Sequence, residues 1–376
     1  MKMPDVPISL LSQTVAEFWR TQWHRALKRP PILPRAMHFL PTYRCNARCV
    51  MCGIWREEPQ GDELSQGELK GLLKDPLFSK LRYVGISGGE PFIRHDLGAL
   101  AGAFLESCPK IERISITTNG LLPERIEKAL PELVRLSRAS GSLLNVSISC
   151  HAHGNALNHV YGVPDAFDRI VRTLDLLTPR QDQGELTVSL NAVLLKDTLP
   201  RARELFEWAR KLRLPISFVV GEIRDRFRNL EDGEHFLGEE DTPALLAFLE
   251  ERSRSSSLRN LSALRYREIA GILTGTLQRS LACYYALGGV LMGHDGTLFY
   301  CSHSKAIGNC REKSPYEIFF QEDNLLYRKQ ELLEKECKTC PPYTLTRWEL
   351  QADLHKVLSL LAREKLLKLS GRGSEG

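Results

Sequence analysis

Short apolar runs of strand length alternate along this chain with longer stretches in which apolar residues recur every three or four positions. The runs at 36–42, 81–87, 112–118, 143–150, 186–195 and 215–221 have the length and residue types of strands. The stretches at 64–73, 97–106, 123–138, 165–177 and 201–212 carry helical periodicity. Regular strand–helix alternation predicts a parallel sheet with helices packed on it. An open doubly wound sheet and a barrel of β/α units both meet that pattern, and periodicity does not separate them.

The rhythm breaks at residues 222–262. Arg224, Asp225, Arg226 and Arg228 precede an acidic stretch over 231–241, and 245–251 then reads as helix. This is an insertion leading out of the repeat, its arginines forming either a solvated loop or a grip on an anionic substrate. Farther on, the apolar runs 289–292 and 298–300 flank His294-Asp295-Gly296-Thr297, which predicts a hairpin. Amphipathic stretches bracket the chain. One has Ile8, Leu11, Val15, Phe18, Trp19, Trp23 and Leu27 and ends at Pro30-Pro31; the other covers 350–370. The expected organisation is an N-terminal helix (1–35), a β/α domain (36–262), a cysteine-bearing segment (263–345) and a C-terminal helix and tail (346–376).

With 376 residues, 43% hydrophobic and 26% charged, the composition is that of a soluble globular protein. No apolar run reaches the ~20 residues needed to span a bilayer, and the N-terminus lacks a signal-peptide core. Ten cysteines, many of them at cluster-like spacings, argue for metal in a reducing compartment, by default the cytoplasm. The net charge of +5 is uneven. Lys2, Arg20, Arg25, Lys28, Arg29 and Arg35 face only Asp5 and Glu17 in the first 36 residues. The remainder is nearly neutral, which argues against a broad nucleic-acid surface. The basic, tryptophan-bearing N-terminal helix suits packing on the body or peripheral contact with a membrane.

The chemistry concentrates at strand ends. Cys45, Cys49 and Cys52 lie in the loop leaving the first strand, the end at which α/β folds collect ligands. Three thiols at this spacing can hold three irons of a [4Fe–4S] cube and leave the fourth open. Cys-x2-Cys alone also suits zinc or a redox dithiol. The second strand runs into Gly88-Gly89-Glu90-Pro91, two glycines for close backbone approach and a carboxylate for an ammonium group. A second set, Cys283, Cys301, Cys337 and Cys340, supplies the four thiolates of a zinc site or a fully ligated cluster.

Taken together, the cysteine triplet and the Gly-Gly-Glu-Pro turn resemble the radical S-adenosylmethionine (SAM) enzymes. The resemblance implies a partial (β/α)6 TIM-like barrel, α/β in class, with a C-terminal β-hairpin plus helix extension for an auxiliary cluster. It implies a [4Fe–4S] cluster on Cys45, Cys49 and Cys52, with SAM's amino and carboxylate groups on the open iron. It places Gly88, Gly89 and Glu90 against the SAM amino group, and Asn119 of Thr118-Asn119-Gly120 and Ser149 near the cofactor. Asn191 would meet the SAM ribose. Two positions depart from the family pattern: His151 stands where an aspartate is usual, and Tyr161 where an arginine often precedes the glycine. The second cysteine set resembles the shorter "Twitch" form of the SPASM extension, implying an auxiliary [4Fe–4S] cluster on Cys283, Cys301, Cys337 and Cys340.

Those relatives place an acidic base just after the hairpin cysteine, where this chain has Ser302. His303 and His151 are therefore the candidate proton carriers, and Cys310 is a candidate hydrogen-atom donor or a buried small hydrophobe. The implied function is hydrogen abstraction from a small molecule such as a sugar or natural-product precursor, followed by dehydrogenation or epimerisation. An electron donor of the reductase, flavodoxin or ferredoxin type would serve it. Modification of a ribosomally made peptide and a non-catalytic iron–sulfur carrier are the competing readings.

Overall fold

A computed structural model of the chain describes residues 31–56, 62–254, 262–279 and 283–341, together with Trp19 and Trp23. The two terminal amphipathic stretches otherwise lie outside the described residues. The chain divides into two compact units, one of residues 33–244 with 289–324, the other including 245–288 and the chain from 325 onward. Among the described residues no helix is long and apolar enough to cross a membrane.

The first unit is built on six parallel strands: β1 (Ala36–Thr42), β2 (Tyr83–Gly88), β3 (Arg113–Thr118), β4 (Leu143–Ser149), β5 (Thr187–Leu194) and β6 (Ile216–Val220). Helices α1 (Gln66–Leu72), α2 (Leu97–Ser107), α3 (Pro123–Ser140), α4 (Ala156–Tyr161), α5 (Ala166–Asp182) and α6 (Ala202–Lys211) alternate with them. The order β6-β5-β4-β3-β2-β1 continues at the β1 edge into β7 (Gly289–Met292), β8 (Thr297–Phe299) and β9 (Ala306–Asn309). The sheet is unclosed, as in a partial TIM barrel. β7 is parallel to β1, and β7–β8–β9 is an antiparallel meander whose first turn is the expected hairpin. The expected boundary at 262 is therefore not where the sheet ends. The hairpin belongs to the barrel's unit, because β7 takes the free edge of β1.

The two faces of the sheet differ. Phe39, Ile86, Ile116, Val146 and Val188 lie in register across five strands and are buried. Phe39 meets Phe104 of α2 edge-on at 5.6 Å, so this face is the one under the helices. The alternate positions are mostly polar, half-buried at His38, Gly85, Ser115, Asn145 and Ser189, buried at Ser147 and exposed at Thr187. His38, Gly85, Ser115, Asn145 and Thr187 form one row, and Ser147 with Ser189 lies in the next. Parallel sheets with both faces packed are apolar on both. A polar inner row instead marks a face turned to a cavity.

The segment after β6 returns to the loop after β1, across the gap that an unclosed barrel leaves. The Phe227 carbonyl accepts from the Gly53 amide (2.7 Å), and Asn229 Nδ2 donates to the Met51 carbonyl (2.8 Å). Arg56 holds Asp232 with two bonds of 2.7 and 3.0 Å. His303, in the loop between β8 and β9, reaches Glu222 just past β6 at 3.4 Å. The start of the expected insertion is thus a strap from the β6 edge to the loop after β1, with His303 of the β8–β9 loop against its first residue. It comes so close that a Cβ on Gly53 would lie 1.9 Å from the Arg228 carbonyl oxygen. Gly53→Ala is expected to cost about 1–3 kcal/mol through this clash. Gly71→Ala, on α1 with nothing within 4 Å of the added carbon, should be neutral or stabilise by up to about 1 kcal/mol. Thermal unfolding of the two variants checks the contrast.

Candidate active site

The loop carrying Cys45, Cys49 and Cys52 is pinned from three sides. From β2, the Gly89 and Glu90 amides donate to the Thr42 and Arg44 carbonyls (2.8 and 2.9 Å). From α4, the Tyr161 and Val160 carbonyls accept from Arg48 and Val50 (2.8 and 3.0 Å). The strap holds the third side at Met51 and Gly53. The paired glycines of the β2 turn have a steric reason. A Cβ on Gly89 would stand 2.1 Å from the Arg44 carbonyl oxygen, and Gly88 turns at φ +126° against Thr42.

Glu90 is the centre of this arrangement. It is fully buried, and Oε1 accepts from the Phe92 amide (3.1 Å) and the Thr118 hydroxyl (2.8 Å) while Oε2 accepts from the Asn119 amide (2.7 Å). Burial pushes the carboxyl up to about 7, against these donors, which favour the ionised form. A carboxylate offers about four acceptor positions, so one is left on Oε2 for a cationic partner. Asn119 continues the chain of contacts. Its Nδ2 donates to Asn46 Oδ1 (2.8 Å) and lies 3.8 Å from Cys45 Sγ. The Gly-Gly-Glu turn, the Asn119 turn and the cysteine loop are therefore one hydrogen-bonded assembly.

The three thiols lie on this one loop, although among the described residues no three His, Cys, Asp or Glu side chains are drawn together closely enough to hold a metal ion. Burial pushes Cys45 up to about 11 and raises Cys49 and Cys52, and the charges of Cys45 and Cys52 bear on Cys49. Thiols so placed stay protonated without metal and ionise when metal binds.

Other expected residues fall around this core. Ser149 closes β4, and its carbonyl accepts the Tyr161 hydroxyl. Tyr161 thus ties β4 to the cysteine loop through its own carbonyl, which is a structural use of the position where an arginine is usual. Asn191, paired in register with Ser149, donates to Ser147 Oγ at 2.7 Å. His151 is buried and packs edge-on against Tyr161, and its Nδ1 accepts the Val193 amide (3.1 Å). Burial lowers its pKa to about 4, so the ring is neutral and braces β4 to β5. His303 faces Glu222, and its amide donates to Cys301 Sγ (3.3 Å).

The structure does not bring Cys310 to the cysteine loop. Cys310 lines a cleft with Gly71, Leu72, Asp75, Ser314 and Pro315, and burial pushes its thiol up to about 12. In the second unit, Cys283 begins a helical turn and Cys337–Thr339 forms another. The Arg279 amide donates to the Lys338 carbonyl (2.8 Å), and its guanidinium lies 3.7 Å from Cys340 Sγ. Cys301 belongs to the first unit. Asn46 and Asn229 were not anticipated, and Thr118 was marked only as part of the Thr-Asn-Gly motif. Asn46 had a signal in its place within the triplet, whereas Asn229 meets Met51 across 178 residues and has none.

Residues 39–209 match the family described as Radical SAM superfamily. Over this stretch the chain resembles radical SAM domains. A "Probable GTP 3',8-cyclase" of Methanopyrus kandleri is 31% identical over 209 residues, 54% of this chain and 64% of the relative. The chain spans less than two thirds of the length of the first curated relatives it matches. Streptococcus suis SuiB bound to S-adenosylmethionine shares the fold, with TM-score 0.57 at 16% identity over 86% of this chain and 73% of that one. So does anSMEcpe with bound AdoMet, with TM-score 0.57 at 16% identity over 89% and 98%.

The cofactors of a radical SAM domain are a [4Fe–4S] cluster and SAM, and the donor chemistry of three half-buried thiols on one loop tied through Asn119 to the Glu90 carboxylate fits them. Glu90→Gln tests the assembly. A carboxamide nitrogen cannot accept, so one of the amide donors facing it loses its partner, at a cost of about 1–3 kcal/mol. Lower thermal stability and a lower iron content after anaerobic reconstitution are expected, read by unfolding and iron assay.

Proposed function

We propose that this protein is a radical SAM enzyme that oxidises or rearranges a small molecule. The observation that carries the reading is the contact chain from Glu90 through Asn119 to Asn46 and Cys45. It fixes a buried ammonium acceptor and a three-thiol loop in one hydrogen-bonded frame. When bound, the cluster and SAM supply a 5′-deoxyadenosyl radical able to take hydrogen from an unactivated carbon. The chain's own residues bind and orient. Cys45, Cys49 and Cys52 hold the cluster. A ligand ammonium at Glu90 Oε2 would draw the carboxyl back to its ionised form. The Ser147, Ser189 and Asn191 side chains, bonded to one another at 2.7–3.0 Å, line the inner face for ribose or substrate hydroxyls. The strap shields the gap between the edge strands from water.

Cys283, Cys301, Cys337 and Cys340 are proposed to hold an auxiliary [4Fe–4S] cluster, supported by the way Arg279 ties to the Lys338–Cys340 turn. For proton transfer the geometry favours His303, paired with Glu222 beside Cys301, over His151, whose Nδ1 is engaged. A small-molecule substrate is favoured over a peptide because the curated relatives are named for a cyclase acting on GTP. The structures solved with peptides share only the fold, at 13–14% identity.

Anaerobic protein with full iron loading, given SAM and dithionite, is expected to yield 5′-deoxyadenosine and methionine. The Cys45/Cys49/Cys52→Ala triple variant is expected to yield none and to retain about four irons on the second cysteine set. Absence of 5′-deoxyadenosine from the fully loaded wild type, with candidate substrates present, would point instead to an electron carrier. Zinc in place of iron in the triple variant would remove the auxiliary cluster.

A further inference from the structure

The strap carries one group that its structural role does not explain. Phe227 and Asn229 are bonded to Gly53 and Met51, so Arg226 is held beside the cysteine loop. Its guanidinium lies over the Phe227 ring at 5.9 Å. It faces the Tyr43 hydroxyl, and its charge bears on His38 of β1 and on Cys52. His38 is on the polar inner row and bonds Ser87 Oγ at 2.6 Å. Arg226 thus lies on the strap beside the cysteine loop, within electrostatic range of β1.

Arg226 Nη1 is buried and has no hydrogen-bond acceptor among the described residues. A buried donor without an acceptor is costly, the more so on a cation. The carboxylates around it are committed elsewhere. Asp232 takes both bonds from Arg56, and Glu222 is shared by Arg224 and His303. Asp225 pairs loosely with Arg228 at 3.8 Å, and Asp295 accepts the Thr297 amide and hydroxyl. Arg228 adds a second positive charge felt at Tyr43. The result is a cationic spot with an unspent buried donor next to the cysteine loop, with the Tyr43 side chain within its electrostatic range. Such a spot matches a carboxylate or phosphate, which a guanidinium binds in a fixed plane.

We infer that Arg226, with the Tyr43 hydroxyl, binds an anionic group of the substrate, a carboxylate or a phosphate, at the β1 side of the barrel mouth. This rests on the reading that the protein is a radical SAM enzyme of a small molecule, and narrows its substrate to an anionic one. The same chemistry has a second source in the carboxylate of SAM itself, which the test separates.

Orthophosphate, pyrophosphate and succinate are titrated calorimetrically into iron-loaded protein with and without SAM, and SAM binding is measured by equilibrium dialysis. At least one probe is expected to bind the wild type in the presence of SAM. Arg226→Gln should weaken it about ten- to hundredfold, as for a lost charged hydrogen bond, and shift SAM affinity less than twofold. Arg226→Lys keeps the charge and should fall between, which decides the case if the glutamine variant unfolds. Exposed Arg210→Gln should match the wild type. Failure of every probe to bind, equal binding by Arg226→Gln, or a parallel loss of SAM binding each overturns the inference, the last assigning Arg226 to the SAM carboxylate. The wild type's 5′-deoxyadenosine yield reports separately on the radical SAM reading, so the two can fail independently.

Discussion

A buried carboxylate must find donors, and Glu90 finds them in the atoms that locate everything else at the site. Its oxygens take the amides of Phe92 and Asn119 and the hydroxyl of Thr118. In doing so it fastens the end of β3 to the turn after β2. Asn119 then turns its own amide toward Asn46 and Cys45. The cysteine loop has no regular secondary structure to hold it. Its position depends on this carboxylate on one flank, on α4 through Tyr161 on another, and on the strap on the third. Because the charged form is costly to bury and only partly offset by its donors, Glu90 is also poised to respond to a cationic ligand.

The sheet's two faces divide the labour. Apolar positions in register under the helices make the core. Their alternates, from His38 through Ser115 and Asn145 to Thr187, remain polar because they are not packed against helices. The open sheet leaves an edge at β6 and another at β9. Unpaired strand edges are a liability that proteins cover, and here the strap and the His303–Glu222 contact bring the two edges together. The cover also carries chemistry, since Arg226 and Glu222 both sit on the segment that does the bridging.

The strand limits expected from the sequence lie within two residues of those observed, because period-two alternation and short apolar runs are local signals. The glycines and Glu90 of the β2 turn, and the cysteine triplet, were visible as motifs at strand ends. His151 was visible only as an oddity. That it braces β5 through the Val193 amide depends on which strands are neighbours. Cys310 shows the limit of reading cysteines by type, since its chemistry is that of any thiol but its place is a cleft against Asp75. Tyr161 is the converse. It departs from the pattern that the resemblance implies, yet its hydroxyl bonds the Ser149 carbonyl and its ring packs on His151, side-chain ties that an arginine would not make in the same way.

The amino-acid sequence by itself determined the alternation of strands and helices, the three-thiol loop and the glycine-bearing turn, because each is written in residues a few positions apart. Only the tertiary structure decided that Glu90, Asn119 and Cys45 share one frame. The same holds for the segment after β6, which closes over Met51 and Gly53, and for Arg226, which has a donor to spare. Arg56 and Asp232 are 176 residues apart and no local pattern couples them. Their meeting is set by the way the strands curve the sheet back on itself, which brings the end of β6 round to the end of β1.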